Sequence, residues 1–268
     1  MLLKKRGVES SVRCIFCGHI SRPHWPEQNV WRCRQCTLIF RYPAPGLDEL
    51  DDYYQEGWKQ IENNTEVTGA TDLQLARVYG RLMLNEVGAI HLSHLRLLEF
   101  GSGKGAMLTA LAELGAEVYG VDPYARDFLR AKGYSVFSSL REIPVELKFH
   151  GIVTIQVIEH LQQPWQTLQE FLPLLHESGW VYISTINAGG LNARLNGWRW
   201  REAKHAGHLI FYSAKTIETL LAHCGYSRYE RLKNVVVYPG RGRARRWLGH
   251  WLQRLSLGGE LRYLAWKS

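Results

Sequence analysis

The stretch Leu97-Leu98-Glu99-Phe100-Gly101-Ser102-Gly103-Lys104-Gly105 constrains the fold of this 268-residue chain more than any other. An apolar run with β character, Leu95 to Phe100, leads into three alternating glycines and then a helical pattern with Met107, Leu108, Leu111 and Leu114 on one side. Glycine reaches positive φ without strain and has no Cβ to block a ligand. The helix N-terminus beyond it favours electron-rich groups. A strand, a glycine loop and a helix in this order predict an α/β sheet with a nucleotide-type cofactor at the loop.

The spacing alone leaves the cofactor open. Gly101, Gly103 and Ala106 satisfy the G-x-G-x-x-G/A dinucleotide fingerprint, and Asp122 closes the next strand, Glu117 to Val121, where a ribose-binding acid is expected. Glu99, two residues before the first glycine, gives E-x-G-x-G-x-G instead. A carboxylate there repels a pyrophosphate and suits the cationic amino-acid end of S-adenosylmethionine (SAM). The succession of strand, loop, helix, strand and terminal acid argues against a purely structural turn.

The 46% hydrophobic content is enough for one full α/β core plus a small appendage. No apolar run approaches the roughly 18 residues that span a bilayer. Met1-Leu2-Leu3-Lys4-Lys5-Arg6 has no apolar region after its charges, so no signal peptide is expected and the expected compartment is the cytoplasm. A net charge of +8 permits nucleic acid, an anionic membrane surface or phosphorylated substrates as partners.

Four of the five cysteines form Cys14-x2-Cys17 and Cys33-x2-Cys36, with fifteen residues between the pairs. Two such knuckles present four thiolates to one tetrahedral Zn2+ and leave no open position, so a zinc here is structural. A pair of redox disulfides is the alternative, disfavoured by a cytoplasmic setting. Cys224 reads as a small buried residue.

The expected division is a zinc ribbon over 1–45, a linker and helical segment over 46–94, and a cofactor-binding domain over 95–268. Arg41 to Gly46 reads as an extended linker, and a long helical pattern starts at Asp72. Beyond the glycine loop the patterns alternate: strand Glu117 to Val121, helix Tyr124 to Lys132, strand Tyr134 to Phe137, strand Ile152 to Val157, helix Trp165 to Leu175, strand Trp180 to Ile186. A helix Ala214 to Cys224, a strand Tyr229 to Tyr238, a basic helix within Arg241 to Leu255 and a strand Glu260 to Trp266 complete the chain. The fold class is α/β, doubly wound and mostly parallel.

With these motifs in this order the chain resembles the class I SAM-dependent methyltransferases, in particular the bacterial group with an N-terminal zinc ribbon associated with glycan and sugar modification. The motifs are the ribbon, Pro43-x-Pro45 with Tyr53-Tyr54, the glycine loop, Val157-Ile158-Glu159-His160, Gly179-Trp180-Val181, Ser184-Thr185-Ile186-Asn187 and His208-Leu209-Ile210-Phe211-Tyr212-Ser213. The resemblance implies a seven-stranded Rossmann-like sheet with Glu260 to Trp266 inserted antiparallel. It implies that Glu99, Gly101, Gly103 and Gly105 line the methionine and ribose of SAM, that Asp122 accepts the ribose hydroxyls with Pro123 and Tyr124 beside the adenine, and that Gln156 and Val157 sit near the sulfonium. Two positions depart from the family: His150, often Asp, and Gln156, often acidic. The second weakens a metal-assisted mechanism of the kind that the similar ubiquinone-type O-methyltransferases use with acidic side chains.

A hydroxyl acceptor must lose a proton, and histidine titrates near neutrality. His208 and His160 are the catalytic candidates, with His205 a third. The His208 segment is similar to the Glu-His-Leu-x-Tyr-Phe motif of sugar C-methyltransferases, although Ala206 and Gly207 replace its Tyr and Glu. Asn187 either reaches the acceptor or orders a turn. In Trp198-Arg199-Trp200-Arg201, Trp198 and Arg199 offer stacking and phosphate binding, with lid packing as the alternative. Tyr53 and Tyr54 either close over the cofactor or pack in the core, the larger share going to packing. The basic, tryptophan-bearing stretch 241–255 either lies on an anionic membrane at the inner face or packs its apolar stripe on the sheet.

The expected activity is SAM-dependent O-methylation of a sugar or glycan precursor. Alternatives are a zinc-ribbon RNA methyltransferase, a quinone or natural-product O-methyltransferase, a nicotinamide oxidoreductase and a non-catalytic SAM-binding protein. No RNA-module signature is present, so nucleic acid is not the favoured partner. No feature of the sequence sets an oligomeric state.

Overall fold

The computed structural model describes residues 11–63, 69–88, 91–234, 236 and 243–267. The chain begins with four short strands, β1 (Val12–Arg13), β2 (Ile20–Trp25), β3 (Val30–Cys33) and β4 (Ile39–Arg41), paired antiparallel in that order. The four cysteine sulfurs lie at one end of them, at the turn after β1 and the turn that closes β3 onto β4. A ring from this unit, Phe16, packs at 5.2 Å from Trp165 and 4.8 Å from His223 of the larger domain.

Residues 46–94, expected to begin as a linker, supply two helices, α1 (Leu47–Asn63) and α2 (Gly69–Val87). The start of α1 has a local cause: Asp48 and Glu49 sit in its first turn, where the helix dipole favours acids, and the Glu49 carboxylate accepts from the Gly46 N–H at 2.9 Å.

The larger domain runs β5 (Arg96–Phe100), α3 (Ala106–Glu113), β6 (Glu117–Val121), α4 (Arg126–Ala131), β7 (Ser135–Phe137), β8 (Phe149–Ile155), α5 (Pro164–Phe171) and β9 (Leu175–Ile186). It continues through α6 (Leu191–Asn196), α7 (Arg201–Lys204), β10 (Ile210–Phe211), α8 (Ala214–His223), β11 (Tyr226–Arg231), α9 (Arg243–Arg254) and β12 (Glu260–Lys267). Seven strands form one sheet in the order β11-β12-β9-β8-β5-β6-β7. Pairs from β9 to β7 are parallel, while β12 is antiparallel to both neighbours, as expected for the last strand. The chain reverses its winding between β5 and β8. Open α/β sheets bind ligands in the crevice beyond the carboxyl ends of strands at such a reversal.

Several expected boundaries move. The helix expected to reach Leu175 ends as an α-helix at Phe171 and continues as a 3-10 turn, Leu172–Leu174, because Pro173 has no N–H to donate to the α-helical ladder. β9 begins at Leu175, and its pairing with β8 skips from Leu175 to Trp180, so residues 176–179 bulge out. β8 starts earlier than Ile152 and stops at Ile155, since Gln156 adopts φ 56° and Ile158–His160 forms a 3-10 turn. The strand expected at Tyr229 to Tyr238 is Tyr226–Arg231; Val235, Val237 and Tyr238 lie outside the described residues.

The ribbon is not a separate body. β10 pairs antiparallel with β4, through Ile210 opposite Phe40 and Phe211 opposite Ile39, and all four of these residues are buried. A boundary at residue 45 is therefore bridged by a β-ladder. Among the described residues no helix is long and apolar enough to cross a membrane. Residues 241 and 242 of the basic stretch lie outside the described residues; farther along it Trp251 and Leu255 are 52% and 61% exposed.

Candidate active site

At the carboxyl end of β5, Glu99 is buried and lines a cavity of about 450 Å3 with Ser102, Gly103, Met107, Tyr79 and Trp58. Burial pushes the Glu99 carboxyl well above its usual range, and the charge of Asp122 adds to this. Its Oε2 has no hydrogen-bond partner among the described residues. An orphaned buried carboxylate oxygen facing a cavity fits a cationic ammonium and does not fit a pyrophosphate.

The three loop glycines divide the work. Gly101, at φ 82°, would place a Cβ 2.4 Å from Val157 Cγ2, and Gly105, at φ 80°, would place one 2.6 Å from Leu129 Cδ2. Both let the loop sit against its neighbours. Only Gly103 has open space where a Cβ would stand, and it lines the cavity. Its N–H donates to Asp122 Oδ2 at 2.8 Å, while Oδ1 accepts from the N–H groups of Tyr124 and Ala125 at 3.0 and 2.9 Å. Asp122 thus ties the glycine loop to the turn after β6.

Asp122 and Tyr124 line a second cavity of about 520 Å3 with Trp58, Tyr53, Tyr54, His160 and His205. Trp58 faces this cavity and the Glu99 cavity, so the two adjoin. Burial, with the Asp51 carboxylate that accepts the Tyr124 hydroxyl at 3.0 Å, pushes Tyr124 up to about 12. Pro123 is exposed and lines neither cavity. Tyr53 and Tyr54, expected mainly as packing residues, are part of the wall that α1 lays over the cavity.

A third cavity of about 610 Å3 shares Leu75, Tyr79 and Ile155 with the Glu99 cavity. Gln156, Arg201, Glu202, Gln253 and Glu260 give it polar walls. Glu260 is half-buried and accepts from the Tyr79 hydroxyl at 2.5 Å and from Ser184. Beneath it Arg262 forms a buried ion pair with Glu86 at 3.1 Å. Gln156 holds its left-handed backbone through an N–H bond to the Ser184 carbonyl at 2.8 Å. This strained backbone lies at the carboxyl edge of the sheet, on the wall of the third cavity.

Between the second and third cavities His160, His205 and His208 stand together. Their ring centroids are 4.7 Å apart for His160 and His208, 4.2 Å for His205 and His208, and 5.6 Å for His160 and His205. Burial, helped by the charge of His205, lowers His160 to about 4, and burial, helped by the charges of His160 and His205, lowers His208 to about 3. His205 is lowered as well, again by burial first. All three are neutral at pH 7. Tyr54 places its hydroxyl 2.8 Å from His160 Nδ1, and Glu202 Oε2 lies 3.6 Å from His208 Nδ1.

Arg41 was not singled out by its sequence, yet it holds this cluster from the ribbon. Its guanidinium donates to the carbonyls of His208, Ala203 and His205 at 3.1, 3.0 and 3.2 Å, and to Gln28 at 2.7 Å. The remaining expectations separate. Asn187 spends both amide hydrogens on the carbonyls of Ser256 and Gly258, at 2.9 and 2.7 Å, and its Oδ1 accepts from Gly189 N–H; it orders a turn. Trp198 and Arg199 line none of the three cavities and instead stack on each other at 4.6 Å. Their neighbours Trp200 and Arg201 face the third cavity.

In the ribbon Cys14 Sγ lies 3.6 Å from Cys36 Sγ and Cys17 Sγ lies 3.4 Å from Cys33 Sγ, all four as free thiols. One ligand atom from each falls within 4.8 Å of the others, and the N–H groups of Gln35 and Cys36 point at Cys33 Sγ. The donor set fits one tetrahedral zinc with no open position. Cys224 is buried and its thiol is pushed up to about 12 by burial, in line with a packing role.

Residues 72–230 match a family described as methyltransferase domain. A ubiquinone biosynthesis O-methyltransferase of Leptothrix cholodnii is 30% identical over 108 residues, covering 36% of this chain and 46% of the relative. One of Glaesserella parasuis is 33% identical over 107 residues, covering 34% and 45%. The chain thus spans less than half the length of these curated relatives. Among solved structures, a SAM-dependent methyltransferase of Thermotoga maritima, described as a possible histamine N-methyltransferase, superposes with a TM-score of 0.54 at 16% identity over 81% of this chain and 99% of that one. The 1,6-didemethyltoxoflavin N1-methyltransferase of Burkholderia thailandensis, bound to its substrate and S-adenosylhomocysteine, gives 0.54 at 15% identity over 88% and 97%. Both likenesses concern the fold.

Proposed function

Because this chain belongs to the methyltransferase-domain family, we propose that it transfers the methyl group of SAM to a hydroxyl of a sugar or glycan precursor. The observation that carries the reading is the run of adjoining cavities. An orphaned Glu99 carboxylate stands in the first, Asp122, His160 and His205 line the second, and Glu202, beside His208, lines a polar third.

In this reading Glu99 takes the ammonium of SAM, Gly103 leaves room for its backbone approach, and Asp122 accepts from the ribose hydroxyls with Tyr124 beside the adenine. Bound SAM supplies an electrophilic methyl carbon: the C–S pair returns to sulfur as the acceptor oxygen's pair forms the new C–O bond. The walls formed by α1 keep water from competing. The acceptor's proton leaves at the histidine cluster, with His208 as the base and Glu202 placed to stabilise its charge. Positive charge in the site is conserved, since it passes from sulfonium to imidazolium. That balance makes a buried histidine a workable base despite its low affinity for protons in the empty site.

The polar walls of the third cavity, including Arg201, Glu202 and Glu260, favour a hydroxylated acceptor over a flat apolar one. The similarity to ubiquinone O-methyltransferases supports a second reading, a phenolic or quinone-type acceptor. Incubation with methyl-labelled SAM and a fractionated cell extract separates them. Label is expected in sugar nucleotides or lipid-linked glycans; label confined to quinone precursors establishes the second reading, and label confined to RNA overturns both. SAM binding without label in any fraction favours a non-catalytic protein.

The ribbon zinc has a structural part in this scheme, holding β4 against β10. Trp251 and Leu255 beside Arg254 provide the place for peripheral contact with an anionic membrane, which suits a lipid-linked acceptor. Sedimentation with anionic but not neutral vesicles is the expected result; failure to sediment with either removes this part.

A further inference from the structure

His160 follows β8 on a 3-10 turn, whereas His205 and His208 lie on the segment between α7 and β10. A ring nitrogen of each nevertheless falls within 4.8 Å of one from both others. Nδ1 of His160 lies 2.9 Å from the Gly207 carbonyl, and Nδ1 of His208 lies 3.0 Å from the Glu202 carbonyl. A carbonyl oxygen can only accept, so an Nδ1 bonded to one carries the hydrogen and Nε2 keeps its lone pair; at His160 the Tyr54 hydroxyl, 2.8 Å from the same Nδ1, then accepts from it and donates to the Gly207 carbonyl. A carbonyl that fixes the tautomer in this way is the usual outer-shell partner of a metal-bound imidazole.

We propose that His160, His205 and His208 hold one divalent transition-metal ion, separate from the ion of the cysteine ribbon. Three imidazoles are a donor set for Zn2+, Fe2+, Ni2+ or Cu2+ and a poor one for Mg2+ or Ca2+, which prefer oxygen. Three histidines with a further position open are also the arrangement of a catalytic ion, in contrast to the closed four-thiolate site. His160 and His205 line the cavity that contains Asp122, and Glu202 beside His208 lines the third. The open position therefore faces the region assigned to methyl transfer, and this inference rests on that assignment. An oxygen ligand there, such as an acceptor hydroxyl, would lose its proton more readily. With Nε2 on the ion, His208 would serve as a ligand in place of acting as the base, and the proton of the bound hydroxyl would pass to the Glu202 carboxylate beside it.

The cluster closes around an ion once the nitrogens draw together and the His205 ring turns. Metal–nitrogen bonds of about 2.1 Å put tetrahedral ligands about 3.4 Å apart, against the 4.8 Å limit within which the nitrogens lie. His205 and His208 are stacked, with 24° between their planes, and two near-parallel rings cannot both aim at one ion. His205 is exposed and free to turn, while His208 is buried and Arg41 pins the carbonyls of both.

The test is cobalt titration of the full-length protein with its ribbon zinc retained, after native treatment with a weak chelator. One equivalent of Co2+ is expected to give the visible d–d bands of a four- or five-coordinate ion with no thiolate-to-cobalt band in the near ultraviolet. His205→Ala, at an exposed position, and His160→Gln are expected to weaken Co2+ at least tenfold, while a cooperative melting transition near that of wild type confirms that they fold. The weak spectrum of six-coordinate aqueous Co2+ in a SAM-binding wild type overturns the proposal, as does a thiolate band alone or an unaltered affinity in His205→Ala. SAM binding and label transfer are read separately. Cobalt bound through histidines without methyl transfer to any hydroxyl leaves the metal site and removes the methyl-transfer reading; methyl transfer with no cobalt site does the reverse.

Discussion

Arg41, at the end of the ribbon's last strand, donates its Nε hydrogen to the backbone carbonyl of His208 at 3.1 Å. The same guanidinium reaches the carbonyls of Ala203, His205 and Gln28. One half-buried cation thus joins the cysteine ribbon to the segment that carries two of the three site histidines. Bonds to a charged donor contribute about 1.5–3 kcal/mol each when buried, so the segment is held far more firmly than a surface loop.

Arg41→Met keeps the length of the side chain and removes every donor. Turnover is expected to fall at least tenfold while the SAM dissociation constant changes less than twofold, with Arg41→Lys recovering only part because one ammonium cannot serve four carbonyls. Single-turnover rates beside SAM titration measure this; unchanged turnover would mean that the ribbon does not position the histidines.

His208→Ala is expected to lower turnover at least tenfold, about 1.4 kcal/mol of barrier, and to leave SAM affinity nearly unaltered. In the proposed reading the group acts on the acceptor, and it lines neither the two cavities assigned to the cofactor nor the third, which it meets only through Glu202. Equal losses in SAM affinity and in turnover would place His208 in cofactor binding instead.

SAM affinity should depend on pH through Glu99. Burial raises the pKa of its carboxyl in the empty site, and an ammonium partner lowers it, so binding releases a proton. Affinity therefore rises with pH up to the raised value and levels off above it. Calorimetry in two buffers of different ionisation enthalpy should detect the released proton in wild type and lose it in Glu99→Gln, together with at least tenfold in affinity. A buffer-independent enthalpy in wild type would contradict the role of Glu99.

The loop glycines should fail in different ways. Gly101→Ala sets a Cβ 2.4 Å from Val157 at φ 82°, and about 1–3 kcal/mol of stability is expected to be lost. Gly103→Ala meets no atom within 4 Å and places its methyl where the cofactor would lie. Its loss should appear more strongly in SAM affinity than in melting temperature. Asp122→Ala should likewise weaken SAM first, and an unaltered dissociation constant would misplace the cofactor.

Cys33→Ser should abolish binding of the zinc that the four thiols fit. Structural zinc contributes an apparent ~10–16 kcal/mol to a small site, as much as the whole stability of an ordinary domain. The ribbon is then expected to unravel, free β10 from β4, and lower turnover along with the metal content. A variant with one ion fewer and full turnover would show that β10 keeps its place without the ribbon.

The glycine loop, Glu99, Asp122 and the four cysteines were legible in the sequence because each is defined by neighbours a few residues away. Strand period, helix period, positive φ and knuckle spacing are local properties. The parallel sheet and its antiparallel last strand followed from the order of such elements and the family likeness. The H-x2-H spacing of His205 and His208 was visible too, but nothing local tied it to His160. That cluster, the Tyr54 wall and the Arg41 clamp exist only once β10 pairs with β4 and the turn after β8 comes beneath it. Arg41 and His208 are 167 residues apart, and no periodicity reports a contact over that distance. The pairing of β10 with β4 in one five-stranded sheet decides it, through buried Phe40, Ile210 and Phe211, whose removal from water offsets the entropy of bringing such distant segments together.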